Sequence, residues 1–319
     1  MSNNKLLNKL EEQKAYNYLY VFFVINPIST LVTRLIIEKL HLDPKNILIV
    51  SFRNTDLSLL NYRSLFVKKN KLDRVLEKIT LTSISGKRIL SKINNQNFTL
   101  FASWSFKEVN YLLKSSNCIG HYYIEEGQAA HREHKPYSYK SVSLKRRVLN
   151  NFKNKTGVED NKFDIAFRDD SLGYIGISNQ SFPQISIDEK IILDNIEDLK
   201  KFYKPKLIGV KYIGLTYAER RLNNTKWKEM INKLVQLLPE NSVIKAHPSF
   251  MLSSKKIQSL TKYINEISRG KVALCSNDII IEMEMLYEKK IILGPRSSLH
   301  FYANLFESEF QKIDYININ

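Results

Sequence analysis

The chain has little glycine. Ten of its 319 residues are glycine, well below the share of roughly 7% that is usual in proteins. Neither the GxGxxG pattern of dinucleotide-binding loops nor the GxxxxGKS/T pattern of phosphate-binding loops is present. This absence argues against both kinds of glycine-rich nucleotide site.

Cysteines and long apolar runs are scarce as well. Cys118 and Cys275 have no metal-ligand spacing and lie near apolar stretches, so we expect buried thiols in a reducing compartment. The residues before Tyr16 include acidic side chains and no apolar run, unlike a signal peptide. The longest apolar run, residues 18–25, is far shorter than the ~20 residues that cross a bilayer. We therefore expect a cytoplasmic protein, or one lying on the inner face of the cytoplasmic membrane.

Positive charge is in excess, with a formal net charge of +17. Anionic small molecules, anionic lipids and nucleic acids all fit such a charge. The basic residues are spread along the chain without the signature of a nucleic-acid module, so nucleic acid is not expected. Residues 143–155 place apolar side chains on one helical face with basic residues around it, which predicts either a membrane-surface patch or a helix packed on its own domain.

Apolar runs alternate with helical periodicities in both halves of the chain, which is typical of an α/β fold with parallel sheets. Strands are predicted at 18–25, 46–52, 98–104, 118–124, 207–215, 242–246, 271–275 and 290–293. Helices are predicted at 28–41, 56–80, 107–114, 225–238, 254–268, 278–288 and from Ser297 onwards. Residues 187–204 look like a connection, so we expect two α/β domains, residues 1–190 and 191–319, facing each other across a cleft.

An acidic pair followed by glycine ends the predicted strand at 118–124. Because neighbouring side chains on a strand point to opposite sides, only one of Glu125 and Glu126 should face the cleft. Gly127 permits a tight exit and the close approach of a substrate. A carboxylate held there can act as general base on a hydroxyl. We favour Glu126 as the base, with Glu125 supporting the loop.

Two further groups of polar residues belong to the second half. Lys245, His247 and Pro248 follow a predicted strand, where open α/β sheets bind their ligands. Ser297 and Ser298 precede the last predicted helix, where hydroxyls and backbone N–H groups suit either helix capping or a phosphate. Upstream, a glutamate on the 278–288 helix can bridge two ribose hydroxyls, and spacing favours Glu282 over Glu284.

The order of these three groups resembles the bacterial sialyltransferases of the two-Rossmann-domain (GT-B) type, which include lipooligosaccharide sialyltransferases and polysialyltransferases. Their D/E-D/E-G, HP and serine-pair motifs stand here as Glu125-Glu126-Gly127, His247-Pro248 and Ser297-Ser298. The matching stretch runs from about residue 124 to residue 299, over half of the chain.

The resemblance implies an inverting transfer from CMP-sialic acid to a hydroxyl of a glycan of the bacterial surface, such as lipooligosaccharide or capsule. Glu126 would deprotonate that hydroxyl, and His247 would donate to, or protonate, the departing CMP phosphate. Ser297 and Ser298 would hold the phosphate, Lys245 would lie near the nucleotide, and Glu282 would bind the ribose. No metal or other cofactor is expected, and the glycan or glycolipid acceptor suggests peripheral contact with the membrane.

Several alternatives stay open. Transferases of other CMP-activated acids (Kdo, legionaminic or pseudaminic acid) share this pattern. CDP-glycerol transferases are similar at Lys245–Pro248 and at the serine pair, but usually carry Trp-His-Gly in place of Glu125–Gly127. A metal site could use Glu126, His131 and His134 if residues 128–136 are helical. A non-catalytic basic module that binds lipid or nucleic acid would leave the three motifs unexplained.

Overall fold

The computed structural model describes residues 12, 18–52, 57–68, 73, 76–77, 83–104, 106–127, 130–131, 170–217, 225–247, 254–295 and 297–313. The chain divides into two units, Met1–Ile196 and Glu197–Asn319. Each unit contains its own parallel sheet, so the predicted α/β class with two Rossmann-like units is confirmed.

The first sheet has seven strands in the order β3-β2-β1-β4-β5-β6-β7. Its strands are β1 Leu19–Val24, β2 Ile47–Ser51, β3 Ser64–Phe66, β4 Phe98–Ala102, β5 Cys118–Ile124, β6 Gly173–Gly176 and β7 Lys190–Ile192. The described helices of this unit are α1 Pro27–Lys39, α2 Ile84–Ile93 and α3 Lys107–Leu113. Short 3-10 turns cover Pro44–Asn46 and Ile187–Glu189, and a further one, Ile196–Lys201, spans the division between the units.

The centre of the first sheet is buried on both faces, which explains its continuous apolar strands. All six residues of β1 are buried, as expected for an inner strand of a parallel sheet. On one face Phe22, Phe101 and Tyr122 stack, with ring centroids 4.4 and 5.3 Å apart. The opposite face packs against α2 and α3 through buried side chains that include Val21, Leu100, Ile89 and Val109.

The second sheet has five parallel strands in the order β10-β9-β8-β11-β12. They are β8 Tyr212–Leu215, β9 Ser242–Lys245, β10 Val272–Leu274, β11 Ile291–Gly294 and β12 Glu309–Lys312. Its described helices are α4 Lys226–Leu237, α5 Ser254–Ser268, α6 Ile281–Tyr287 and α7 Leu299–Leu305. Helices α4 and α5 pack on the sheet through side chains that include Leu234, Ile264, Ile244 and Val272.

Both sheets contain a point where the chain reverses its direction across the sheet. In the first, the chain passes from β1 to β2 and β3, and then returns to β4 on the other side of β1. In the second, β11 returns to the other side of β8 in the same way. Ligands of such sheets bind outside the carboxyl ends of the strands at this reversal, which points to the loops after β1, β4, β8 and β11.

Four elements differ from the prediction. Strand β3 lies inside the 56–80 stretch predicted to be helical, of which the structure describes residues 57–68, 73 and 76–77. Strand β7 lies inside the predicted connection and pairs with β6, so the units divide at 196/197 instead of 190/191. Helix α2 and strand β12 were not predicted, because α2 buries only two large apolar side chains and β12 is largely exposed. The basic segment 143–155 lies outside the described residues.

Candidate functional site

The two glutamates that follow β5 have separate environments. Glu125 is fully buried. One of its carboxylate oxygens lies 2.8 Å from His131 Nε2, and the other accepts hydrogen bonds from Ser181 Oγ (2.6 Å) and the Ile177 backbone N–H (2.8 Å). Burial by itself would raise the pKa of this carboxyl, but the bonds and charge of His131 together with Ser181 and Ile177 hold it below its usual value. Glu125 therefore ties the loop after β5 to the loop after β6.

Glu126 is half-buried and lies next to Asn26, the residue that precedes helix α1. Its Oε2 accepts a hydrogen bond from Asn26 Nδ2 at 2.9 Å, and its backbone oxygen accepts one from the same nitrogen at 2.5 Å. Gly127 follows with φ at +117°, in the region that L side chains rarely adopt. The glycine therefore allows the sharp exit that was expected of it.

The end of strand β9 positions Lys245 and His247 differently. Lys245 Nζ donates to the backbone oxygens of Ser276 (2.7 Å), Asn277 (3.2 Å) and Ile279 (2.8 Å). An ammonium group has three donors, so Lys245 fixes the loop between β10 and α6. His247 is exposed, and Pro248 lies outside the described residues.

Thr216 was missed by sequence reasoning, although it holds the backbone around His247. Its N–H donates to the Lys245 oxygen at 3.3 Å, and its Oγ1 accepts from the His247 N–H at 2.8 Å. A side-chain hydroxyl therefore takes the place of a backbone acceptor where the β8–β9 pairing stops. A lone threonine after a strand carries no sequence signal for this role.

The two glutamates on helix α6 also differ. Glu284 is fully buried and accepts from Tyr203 Oη at 2.5 Å and from the Lys206 and Leu207 N–H groups, each at 2.9 Å. Glu282 is 7% exposed, and within the described part of the chain its carboxylate receives only its own backbone N–H. Burial raises the pKa of Glu282 to about 6, against smaller lowering effects of that N–H and of the Lys245 charge.

The serine pair does not cap helix α7 with its side chains. Ser298 occupies the N-cap position without a side-chain cap hydrogen bond. The backbone oxygens of Ser297 and Ser298 accept from the N–H groups of His300 and Phe301. Ser297 Oγ is buried and has no hydrogen-bond partner among the described residues. Capping therefore does not explain the Ser297 hydroxyl.

The predicted site residues belong to two separate units. Glu125, Glu126 and Gly127 lie in the first unit, at the carboxyl end of β5. The others lie in the second unit, where Lys245, His247, Ser297 and Ser298 are at the carboxyl edge of the sheet and Glu282 is on the helix after β10.

The other chemical features are as follows. His131 is directed at Glu125, and His134 of the alternative metal site lies outside the described residues. Within the described ranges no group of three or more His, Cys, Asp or Glu side chains could hold a metal ion. Cys275 is buried and Cys118 is half-buried, both are unpaired, and burial raises the pKa of each thiol to about 11. No helix among the residues placed by the structure has the length and apolarity to cross a membrane.

Comparisons with known proteins give fold-level likenesses only. No protein-family model and no curated protein matches the chain. Among solved structures, it is similar to a 2,6-sialyltransferase of Photobacterium sp. JT-ISH-224 in complex with CMP and lactose, at 13% identity and a TM-score of 0.47, covering 89% of this chain and 68% of that one. It is also similar to the UDP-GlcNAc 2-epimerase of Neisseria meningitidis bound to UDP-GlcNAc, at 14% identity, a TM-score of 0.42, and 92% and 81% coverage. A glycosyltransferase from Rickettsia africae gives 12% identity, a TM-score of 0.40, and 92% and 78% coverage. The function of the chain therefore has to be inferred from its own residues.

Proposed function

We propose that this chain is an inverting glycosyltransferase that moves sialic acid from CMP-sialic acid to a hydroxyl of a glycan acceptor. One observation carries the proposal furthest. In the second unit, the Ser297 hydroxyl and the Glu282 carboxylate are both buried without a partner side chain among the described residues. A hydroxyl donor suits a phosphate oxygen, and a carboxylate suits the two hydroxyls of a ribose.

The first unit supplies the base in this proposal. A general base needs a lone pair directed at the proton that it removes. Glu125 is fully buried and three protein groups engage its two carboxylate oxygens, whereas Glu126 is half-buried and therefore partly exposed to solvent and substrate. Glu126 is therefore the base, and Glu125 supports the loop on which it stands.

The reaction then follows in one displacement. Glu126 takes the proton of the acceptor hydroxyl as its oxygen forms a bond to the anomeric carbon of sialic acid. The bond from that carbon to the CMP phosphate oxygen breaks on the opposite face, which inverts the configuration. His247 donates to the departing phosphate, and Ser297 and Ser298 hold it. CMP is a good leaving group, so the reaction requires no metal.

Lys245 acts indirectly. Its ammonium group is bonded to three backbone oxygens of the loop that leads to α6, and its positive charge favours the ionised form of Glu282. It thus supports the nucleotide site through that loop and through Glu282.

The acceptor and its location are also part of the proposal. A net charge of +17 suits a doubly anionic donor and a glycolipid at an anionic membrane surface. We assign the acceptor to the lipooligosaccharide or capsule class and the protein to the cytoplasmic face of the membrane. Co-sedimentation of the protein with vesicles that contain or lack anionic lipid tests this location. If the same fraction of the protein is recovered in the two pellets, the membrane assignment is wrong.

The test of the reaction is CMP release from CMP-N-acetylneuraminic acid in EDTA, with and without a galactose-ended oligosaccharide. We expect acceptor-dependent release that falls about 10²- to 10⁴-fold in Glu126→Gln and in His247→Ala. Glu240→Gln, which removes an exposed carboxylate paired with Lys271, is the control and should keep full activity.

The outcomes separate the alternatives. Release that requires a divalent metal, or that persists in Glu126→Gln, contradicts the mechanism. Release only from CMP-activated Kdo, legionaminic or pseudaminic acid, or from CDP-glycerol, changes the donor. Binding of lipid or nucleic acid that is unaffected by Glu126→Gln, with no release from any donor, would identify a non-catalytic module.

A further inference from the structure

Asn26, which follows strand β1, connects two parts of the first unit that are far apart in sequence. It is the N-cap of helix α1, with extended backbone angles (φ −160°, ψ 174°). Its Oδ1 accepts a hydrogen bond from the Ser29 N–H at 2.9 Å. The Ser29 hydroxyl in turn accepts from the Asn26 N–H at 3.1 Å, which completes a capping box.

The cap determines the orientation of the Asn26 amide. An amide oxygen accepts and an amide nitrogen donates, so the bond to the Ser29 N–H requires the oxygen to face the helix. The NH₂ group then points away from α1, towards the end of β5. There it donates to Glu126 twice, to the backbone oxygen at 2.5 Å and to Oε2 at 2.9 Å.

This pair of bonds fixes both ends of Glu126. The bond to the backbone oxygen fixes the position of the chain after β5, and the bond to Oε2 restricts the rotation of the carboxylate. Helix α1 packs against β1 and has nine buried residues. The Asn26 NH₂ group, which donates these hydrogen bonds, is therefore held at the start of a rigid element. Placement of a reacting group on such an element strongly affects rate, since an error of about 1 Å can cost about 10²-fold.

We propose that Asn26 is a positioning residue for Glu126, holding its carboxylate in the orientation in which it accepts the proton of the acceptor hydroxyl. This inference rests on the proposed function, because it assigns Glu126 the role of general base. Asn26 itself touches no substrate in this scheme. It links the start of α1 to the end of β5, one on each side of strand β4.

The deciding variant is Asn26→Ser. Serine caps a helix about as well as asparagine, so α1 keeps its cap, but the NH₂ donor is lost. We expect an unchanged thermal midpoint, an unchanged KM for CMP-sialic acid, and a kcat lowered about 10²-fold. Asn26→Asp also keeps the cap and replaces the donor with a charge that repels Glu126, so we expect it to be at least as slow.

Ser29→Ala is the matched control. It removes the other half of the capping box and lowers the thermal midpoint, but leaves the Asn26 amide beside Glu126. We expect Ser29→Ala to be less stable and nearly as fast as the wild type, which is the reverse of Asn26→Ser. If Asn26 had only a structural role, kcat would follow the thermal midpoint in both variants, and the less stable variant would also be the slower one.

An Asn26→Ser enzyme with wild-type kcat overturns the inference. Failure of the proposed function is recognised separately, as a wild-type protein that transfers nothing from any nucleotide-activated donor. In that case the crystal structure of the Asn26→Ser protein decides. A Glu126 side chain that leaves its position supports the positioning role, and an unchanged side chain overturns it.

Discussion

Buried carboxylates in this chain differ in whether the protein supplies their hydrogen bonds. Glu125 and Glu284 are both fully buried, and each receives three strong bonds from neighbouring groups. Glu282 is buried to a similar degree and receives no bond from another residue of the described chain. A buried carboxylate that receives hydrogen bonds from neighbouring groups is compatible with a stable fold. One that receives none from another residue reduces stability, and such groups are typical of functional sites.

Glu282 should therefore destabilise the folded protein at neutral pH. Its folded pKa, about 6, lies above the ordinary value of 4.5. The folded state thus binds more protons than the unfolded state between these values, and stability falls as pH rises through this window. We expect Glu282→Gln to unfold at the same urea concentration as wild type near pH 4. Near pH 7.5 it should be more stable by about 2 kcal/mol.

The matched control for this titration is Glu284→Gln. Because Glu284 accepts from Tyr203, Lys206 and Leu207, its replacement should destabilise the protein at both pH values. If Glu282→Gln changed the free energy of unfolding by the same amount at both pH values, the raised pKa assigned to the buried Glu282 carboxyl would be wrong. In the presence of CMP the advantage of Glu282→Gln should shrink, because ribose hydroxyls would donate to the ionised wild-type side chain.

At the scale of elements, the ends of β8 and β9 are joined by the Thr216 side chain. We expect Thr216→Val, which keeps the shape and removes the acceptor for the His247 N–H, to cost about 1 kcal/mol of stability. It should also lower kcat about tenfold, because the loop that bears His247, the proposed donor to the leaving phosphate, is displaced. Thr216→Ser retains the hydroxyl and should restore both values. Steady-state kinetics and urea unfolding of the two variants make the comparison, and equal kcat in Thr216→Val and wild type would exclude a role in positioning His247.

The elements that sequence predicted well have a strong local pattern, either an apolar run or a repeated helical spacing. Strand β1 is apolar throughout, strand 118–124 ends in a run of four buried residues, and residues 254–268 repeat apolar side chains at helical spacing. The predicted bounds of the last two match the structure. Strands β3 and β12 lie at sheet edges with exposed residues, and therefore carry no apolar pattern. A repeated apolar pattern was the signal, and exposed edge strands lack it.

The site could be predicted only where the signal is local. The acidic pair and its glycine are such a local signal, and the structure gives Glu125 and Glu126, which both follow β5, different hydrogen-bond partners. The bond from Asn26 to Glu126 joins residues 100 positions apart, and the partners of Glu284 lie 77 to 81 positions away. Contacts of this kind depend on strand order, which no short pattern in a single sequence encodes.

At the scale of the whole molecule, the proposed chemistry is divided between two units. The proposed base, Glu126, belongs to the unit Met1–Ile196, and every residue proposed to bind the sugar donor belongs to Glu197–Asn319. The second unit has its own five-stranded sheet and its own apolar core. A unit with its own core can in principle fold alone, so donor binding and base catalysis should be separable by truncation.

We therefore expect residues 197–319, expressed alone, to unfold cooperatively in urea and to bind CMP, as measured by calorimetry, without transferring sugar. Ser297→Ala in this fragment should weaken CMP binding, since it removes the buried hydroxyl that lacks a protein partner. Thr261→Ala, whose hydroxyl bonds to the Ile257 oxygen within α5, should leave binding unchanged. A folded fragment that fails to bind CMP, alongside a full chain that does, would mean that residues of the first unit also hold the nucleotide. In that case the assignment of the donor site to the second unit alone is wrong.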